Sequence, residues 1–340
     1  EIKKFYFWYN LIDKNVKSIV VSHTVYTLAV PLRICVKKNI EAFQVSLQHL
    51  YRLNKKEYSA YKEFKTFPKL FAKLPKKEKI EGLKKAKQRL NLRLNGRVGV
   101  DMSYSKKSAY GKFNKNIQLL KKNNKIKVLI ATHCFYDSPH SFGHNLFPDF
   151  YEWLDFLGKM TKKTDYDWYI KTHPDYLPGT MRIIKEFIKK YSRFKLLPSN
   201  SSHNQISKEG INTVLTVYGT VGCEYPLLNK LVINASMNNP HIAYKFNRHC
   251  KSLKDYEKTI KNLPYLVKNF SINKNKVYEY YYMQHLYKFK DIFYKNLIQS
   301  KDDASEYKIL GKWEKQISKN KNLEIKIERK IKTFIYNKNY

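Results

Sequence analysis

Four clusters of polar residues stand directly behind short β-rich runs. His133-Cys134-Phe135-Tyr136-Asp137-Ser138-Pro139-His140, then Gly143 and His144, follow the run 127–132 (KVLIAT). His173-Pro174-Asp175 follow 168–172 (WYIKT), Gly219-Thr220-Val221-Gly222-Cys223-Glu224 follow 213–218 (TVLTVY), and Asn238-Asn239-Pro240-His241 follow 231–235 (LVINA). In an open parallel sheet, ligands bind beyond the carboxyl ends of the strands, so these are the residues to weigh for chemistry. The turn from Gly219 to Glu224 has the small residues that open a helix and expose backbone N–H groups to an anion, and Thr220 adds a hydroxyl. The competing reading of its glycines is tight packing. Glu224 falls in the first helical turn, where it either favours the helix dipole or accepts from a ribose hydroxyl. His173 lies two residues after Lys171, and Pro174 holds its backbone extended, which projects the imidazole from the strand end toward a phosphate oxygen. The competing reading is a buried structural histidine. Asp137 is the carboxylate best placed for a reaction centre, as a base or as a nucleophile on an anomeric carbon. Alternatively Asp137-Ser138-Pro139 only starts a turn.

Two metal-like patterns are set aside. Asp165-Tyr166-Asp167 has DxD spacing, but it precedes its strand and so lies at the wrong end of a parallel sheet. His140 and His144 are four apart and near His133, yet Pro139 and Gly143 argue for a loop, and no acidic residue follows His140 as in HExxH. No metal site and no cofactor are expected.

These strand ends need a scaffold, and the alternation of strands with helices between 126 and 236 supplies one: a parallel sheet wound on both faces. A further strand is expected at 194–197, with helices near 147–160, 180–191 and 223–228. Ile184, Phe187, Ile188 and Tyr191 share one face of the second helix. Residues 18–22 (SIVVS) lead through His23 and Thr24 into a helix, which places a similar lobe over 1–120, with 55–94 helical and packed outside it. Beyond Ser236 the chain turns helical and basic, and Leu323, Ile327, Ile331 and Phe334 recur on one face, as core packing or as a membrane-surface stripe. The expected division is 1–120, 121–250 and 251–340.

With 340 residues and 43% hydrophobic content the chain can bury a sizeable core. Its net charge of +38 comes from 66 Lys+Arg against 28 Asp+Glu. Only nine of those are arginines, which disfavours a dedicated nucleic-acid reader, since Lys cannot reproduce the bidentate contacts of Arg. A lysine-rich solvated surface is the plain reading; an anionic membrane surface or anionic substrates are the candidate partners. Four widely spaced cysteines without a CxxC pair indicate neither a zinc site nor a disulfide framework and fit a reducing cytoplasm. The most apolar stretch, 25–36, is broken by Pro31 and Arg33 and is too short to span a bilayer. No signal peptide is legible, and the start at Glu1 without Met suggests that a segment precedes it.

Taken together, residues 126–245 resemble the bacterial capsular and lipopolysaccharide transferases that use CMP-activated sugars, especially the capsular β-Kdo transferases. The resemblance rests on His173-Pro174 within YIKTHPD and on Tyr218-Gly219-Thr220-Val221-Gly222. In that group and in bacterial sialyltransferases, a His-Pro motif and a Ser/Thr-containing turn hold the CMP phosphate. Asp137-Ser138 is similar to the catalytic Asp-Ser-Gln loop of the Kdo enzymes, with Pro139 in place of Gln. The turn also lacks the usual Ser pair, and His-Pro with a glycine-rich turn recurs in polyol-phosphate transferases. The resemblance implies a GT-B fold: two Rossmann-like lobes, here with a helical basic C-terminal extension, the donor in the second lobe, the acceptor on the first and no metal. Lys171, His173, Pro174, Tyr218, Gly219, Thr220, Gly222, Glu224, Asn239 and His241 would then be donor-side residues. His23, His133, Ser138 and His140 would face the acceptor or the cleft, and Asp137 would be the nucleophile of a double displacement or the base of an inverting transfer. The implied reaction moves a sugar, Kdo or a related acidic one, from CMP to a surface polysaccharide or glycolipid, in a cytoplasmic enzyme at the inner face of the membrane. The alternatives are a nucleotide-sugar 2-epimerase or polyol-phosphate transferase of the same fold, or an anionic-polymer or nucleic-acid binding protein.

Overall fold

The structure is a computed structural model that describes residues 2–13, 15–45, 50–56, 58, 60–102, 105, 107–111, 113, 116–136, 141–173, 177, 179–287 and 306–336. Contacts group residues 1–282 into one compact unit and 283–340 into a second.

The first unit opens with α1 (Ile2–Leu11), β1 (Ser18–Val21), α2 (Tyr26–Lys37), β2 (Glu41–Val45) and β3 (Leu50–Leu53). β1 and β2 pair in parallel across α2, and β3 returns antiparallel to β2, which makes a three-stranded sheet built on a single βαβ unit. Leu32, Cys35, Ala42 and Leu53 form its core. A 3₁₀ turn at Glu63–Thr66 leads into α3 (Phe67–Ala72) and α4 (Lys76–Leu94).

The second sheet takes β4 (Lys127–Ala131), β5 (Asp167–Lys171), β6 (Phe194–Leu196), β7 (Thr213–Thr216), β8 (Leu231–Asn234) and β9 (Arg248–His249). Every pairing is parallel and the spatial order is β6-β5-β4-β7-β8-β9, the 3-2-1-4-5-6 order of the doubly wound dinucleotide-binding sheet. Its helices are α5 (Phe150–Thr161), α6 (Thr180–Lys190), α7 (His203–Lys208) and α8 (Val221–Leu227), followed by α9 (Leu253–Lys261), α10 (Leu263–Lys268) and α11 (Lys274–Tyr281). The apolar runs are continuous because both faces are covered. Val128 and Ile130 pack with Trp153, Leu154 and Leu157 of α5 on one face, while Leu129 packs with Ile206, Val214 and Tyr225 on the other. Ile184, Phe187 and Tyr191 lie in the first of these cores and Ile188 against it, the face that their spacing predicts.

The chain is therefore α/β, with a doubly wound parallel sheet and a smaller three-stranded sheet. Two features depart from what periodicity suggests. The first lobe holds one βαβ unit and an antiparallel strand, and α4 packs on α11, which packs on α8, beside the second sheet. In the second unit α12 (Glu306–Ser318) and α13 (Lys321–Tyr336) pack on each other, with Leu323 buried and Ile331 exposed. No helix among the described residues is long and apolar enough to cross a membrane.

Candidate functional site

The strand order reverses between β4 and β7, since β5 and β6 continue to one side and β8 and β9 to the other. A crevice at the carboxyl ends of the strands is expected at such a switch point. The structure has one there, about 760 Å³ counting its open mouth, lined by the ends of β4 (Ala131, Thr132, His133), β5 (Lys171, Thr172, His173) and β7 (Thr216, Gly219, Thr220). Its far wall comes from α4 and the chain after it, with Arg93, Arg97, Lys107 and Tyr110, and from His203 at the start of α7.

The electrostatics are one-sided. Glu224 is the only carboxylate among the described lining residues, and it is already engaged: Arg93 Nε pairs with Oε1, and Tyr110 OH donates to Oε2 at 2.9 Å. Lys171 is 1% exposed, and among the described residues its Nζ donates to the backbone oxygen of Ser199 at 3.0 Å. Burial pushes its pKa down to about 8. Beside it the Thr172 hydroxyl is buried with no hydrogen-bond partner among the described residues. His203 bonds through Nδ1 to Tyr225 OH at 2.5 Å, and burial, then the charges of Lys171 and His173, hold its pKa well below the ordinary value. A cation taken out of water is costly until an anion joins it.

His133 is the lock on the β7–α8 turn. Its Nε2 lies 3.1 Å from the Thr216 hydroxyl and accepts from the Val217 N–H at 3.3 Å, which places the ring proton on Nδ1. The ring stacks on Phe150 at 4.6 Å and lies 4.6 Å from Tyr218, and burial, then His173, pushes its pKa down to about 3. It is therefore a neutral acceptor at physiological pH.

Lys171, His173, Gly219, Thr220, Glu224 and His133 are thus brought together, with His173 exposed at the mouth. Other expectations change. The turn offers fewer free donors than its composition suggests, because Gly219 N–H donates to Thr216 Oγ1, Gly222 N–H to Gly219 O, and Cys223 and Glu224 N–H to Thr220 O. Only Thr220 and Val221 retain unengaged N–H groups there among the described residues. Gly222 is a packing glycine: a Cβ would meet His241 Cε1 at 2.4 Å. Glu224 has both oxygens engaged within the chain, so it braces α4 and is not free for a ribose. Asn239 and His241 are buried away from the cleft; Asn239 donates to Ser236 O at 2.9 Å and accepts from His241 N–H at 3.0 Å, and the His241 ring packs 4.7 Å from Tyr280. Tyr218 packs 4.9 Å from Phe142, behind His133. His23 follows β1, exposed and not among the lining residues. Asp137, Ser138, Pro139, His140, Pro174 and Asp175 lie outside the described residues. Asp165 pairs with Lys125, and Asp167 with Lys195 at 3.1 Å, at the amino end of β5 and away from the cleft.

Sequence reasoning missed Arg93, Arg97, Lys107, Tyr110 and His203. One signal was present: Arg89, Arg93 and Arg97, three of only nine arginines, recur at four-residue spacing. Arg89 pairs with Asp101 at 2.7 Å, and the other two turn to the cleft.

No protein-family model matches the chain, and no curated protein matches it. Among solved structures it is similar to the KpsC β-Kdo 2,4 transferase of Thermosulfurimonas dismutans, at 11% identity over 78% of this chain and 79% of that one, with a TM-score of 0.42. The KpsC β-Kdo 2,7 transferase of the same organism is 13% identical over 78% and 76%, also at 0.42. The UDP-GlcNAc 2-epimerase of Methanocaldococcus jannaschii, in complex with UDP-GlcNAc and UDP, is 12% identical over 81% and 78%, at 0.33.

Proposed function

We propose that the chain is a glycosyltransferase that binds a nucleotide-activated sugar in the cleft between β4 and β7. One observation carries this reading: Lys171 stands as a buried cation with no carboxylate partner among the described residues, at the switch point of a parallel sheet, where a phosphate is the natural counter-charge. His173 at the mouth and the N–H groups of Thr220 and Val221 across the cleft suit the remaining phosphate oxygens. The His173-Pro174 motif and the turn behind Tyr218 favour a CMP-linked donor, with Kdo or a related acidic sugar as the transferred group. The acceptor is then a surface polysaccharide or glycolipid. Asp137, six residues beyond the end of β4, is assigned the reaction-centre carboxylate.

The test is product analysis after incubation with CMP-, UDP- and GDP-sugars, with and without a glycolipid acceptor. A product enlarged by one sugar, formed only with acceptor, supports transfer. Conversion of the donor to an isomer without acceptor contradicts it.

A further inference from the structure

Helix α1 is ten residues long and buries none of them. Ile2 is 75% exposed, Phe7 61%, Tyr6 60% and Leu11 55%. The helix is nonetheless fixed in place. Trp8 packs against the core of the first lobe, and Lys38 Nζ donates to Tyr9 O at 2.7 Å and to Ile12 O at 2.6 Å. At about 100° per residue, Ile2 and Tyr6 lie on the side away from Trp8, next to Tyr9, while Phe7 stands on the far flank beyond Asn10 and Lys3. Alongside, Phe5, Tyr9, Ala29, Val30 and Ile34 line an apolar groove of about 770 Å³ counting its open mouth, with Arg33 and Lys37 also on its walls.

Several large apolar side chains exposed on one helix beside an apolar groove mark an interaction site. Its charge says what covers it. Neither α1 (IKKFYFWYNL) nor α2 (YTLAVPLRICVK) contains an acidic residue, while Lys3, Lys4, Arg33, Lys37 and Lys38 surround the aromatic residues. Aromatic rings favour the headgroup layer of a bilayer, and lysines reach from it toward anionic lipid. A second copy of the chain is a poor occupant, because a two-fold contact through this face would set the same lysines against each other.

We propose that α1 and the groove beside it form a membrane-docking surface that lies in the headgroup layer of an anionic bilayer. This inference stands independently of the glycosyltransferase reading, since it uses none of the cleft residues.

The experiment is cosedimentation of the full chain with vesicles of phosphatidylcholine, with or without phosphatidylglycerol. Wild type is expected to pellet with the phosphatidylglycerol vesicles and to remain in solution with pure phosphatidylcholine. The combined substitution Ile2→Ser, Tyr6→Ser, Phe7→Ser changes only exposed side chains and should weaken partitioning by about tenfold or more, with an unchanged thermal melt. Lys3→Gln, Lys4→Gln, Lys37→Gln should weaken it by about tenfold and flatten its salt dependence. Failure of wild type to bind, or binding within about twofold of wild type in either variant, overturns the proposal. So does a wild-type dimer in light scattering that the Ile2, Tyr6, Phe7 variant dissociates, which would make the face a self-association surface.

Discussion

Arg93 on α4 and Glu224 on α8, 131 residues apart in the chain, form an ion pair in the wall of the cleft, and Tyr110 donates to the same carboxylate. Glu224→Gln removes the charge that compensates a largely buried guanidinium. The expected outcome is a loss of about 3 kcal/mol in stability by urea unfolding, the scale of breaking a buried pair. Nucleotide affinity of the folded variant should stay within about threefold of wild type. A ribose-binding Glu224 would give the opposite pattern, intact stability with weakened binding.

Three histidines with depressed pKa values set the acid limb of stability. His133, His203 and His249 all have pKa values depressed chiefly by burial, His133 to about 3. The unfolded chain takes up their protons below about pH 6.5 while the native state does not. Stability is therefore full above that pH and falls as pH drops below it, by up to about 1.4 kcal/mol per pH unit for each histidine. His133→Gln, compared with wild type by urea unfolding between pH 7 and pH 4, should show a shallower fall by about one proton. An unchanged slope would mean that His133 is protonated in the native state.

Much of the second lobe is legible because its strands are continuous apolar runs; 127–131, 213–216 and 231–234 stand out between polar strand ends. The six-residue α7 has no amphipathic period to read, and β9 is only two residues long. The first lobe's antiparallel β3 is invisible to periodicity, which does not distinguish a hairpin return from a crossover. The cleft was half legible. Lys171 and His173 follow from strand-end logic, whereas Arg93 and His203 enter through contacts across long stretches of chain, Arg93 to Glu224 and His203 to Tyr110 and Tyr225. Composition also misled at Gly222 and His241, whose close approach is a packing contact.

Asp137→Asn keeps size and most hydrogen bonding, so a turn residue would tolerate it. As the reaction-centre carboxylate, its loss should lower kcat by at least about a hundredfold with donor affinity intact. Retention of more than about a tenth of wild-type turnover would end the assignment.

Asp165 and Asp167 are paired with lysines at the opposite end of β5 from the cleft. Transfer should accordingly continue in EDTA. Loss of activity restored by Mn²⁺ or Mg²⁺ would count against the GT-B-type mechanism.

The most direct test of the central claim is calorimetric titration of CMP, UDP, GDP and CDP into wild type and Lys171→Met across pH. A phosphate in the cleft favours the protonated lysine, whose pKa burial has brought to about 8. Wild-type affinity should be flat below about pH 7 and fall by up to about tenfold per pH unit above about pH 8. Lys171→Met should bind at least about tenfold more weakly and lose that dependence. A folded Lys171→Met variant with wild-type affinity, or a wild type that binds none of the four nucleotides, would contradict the account.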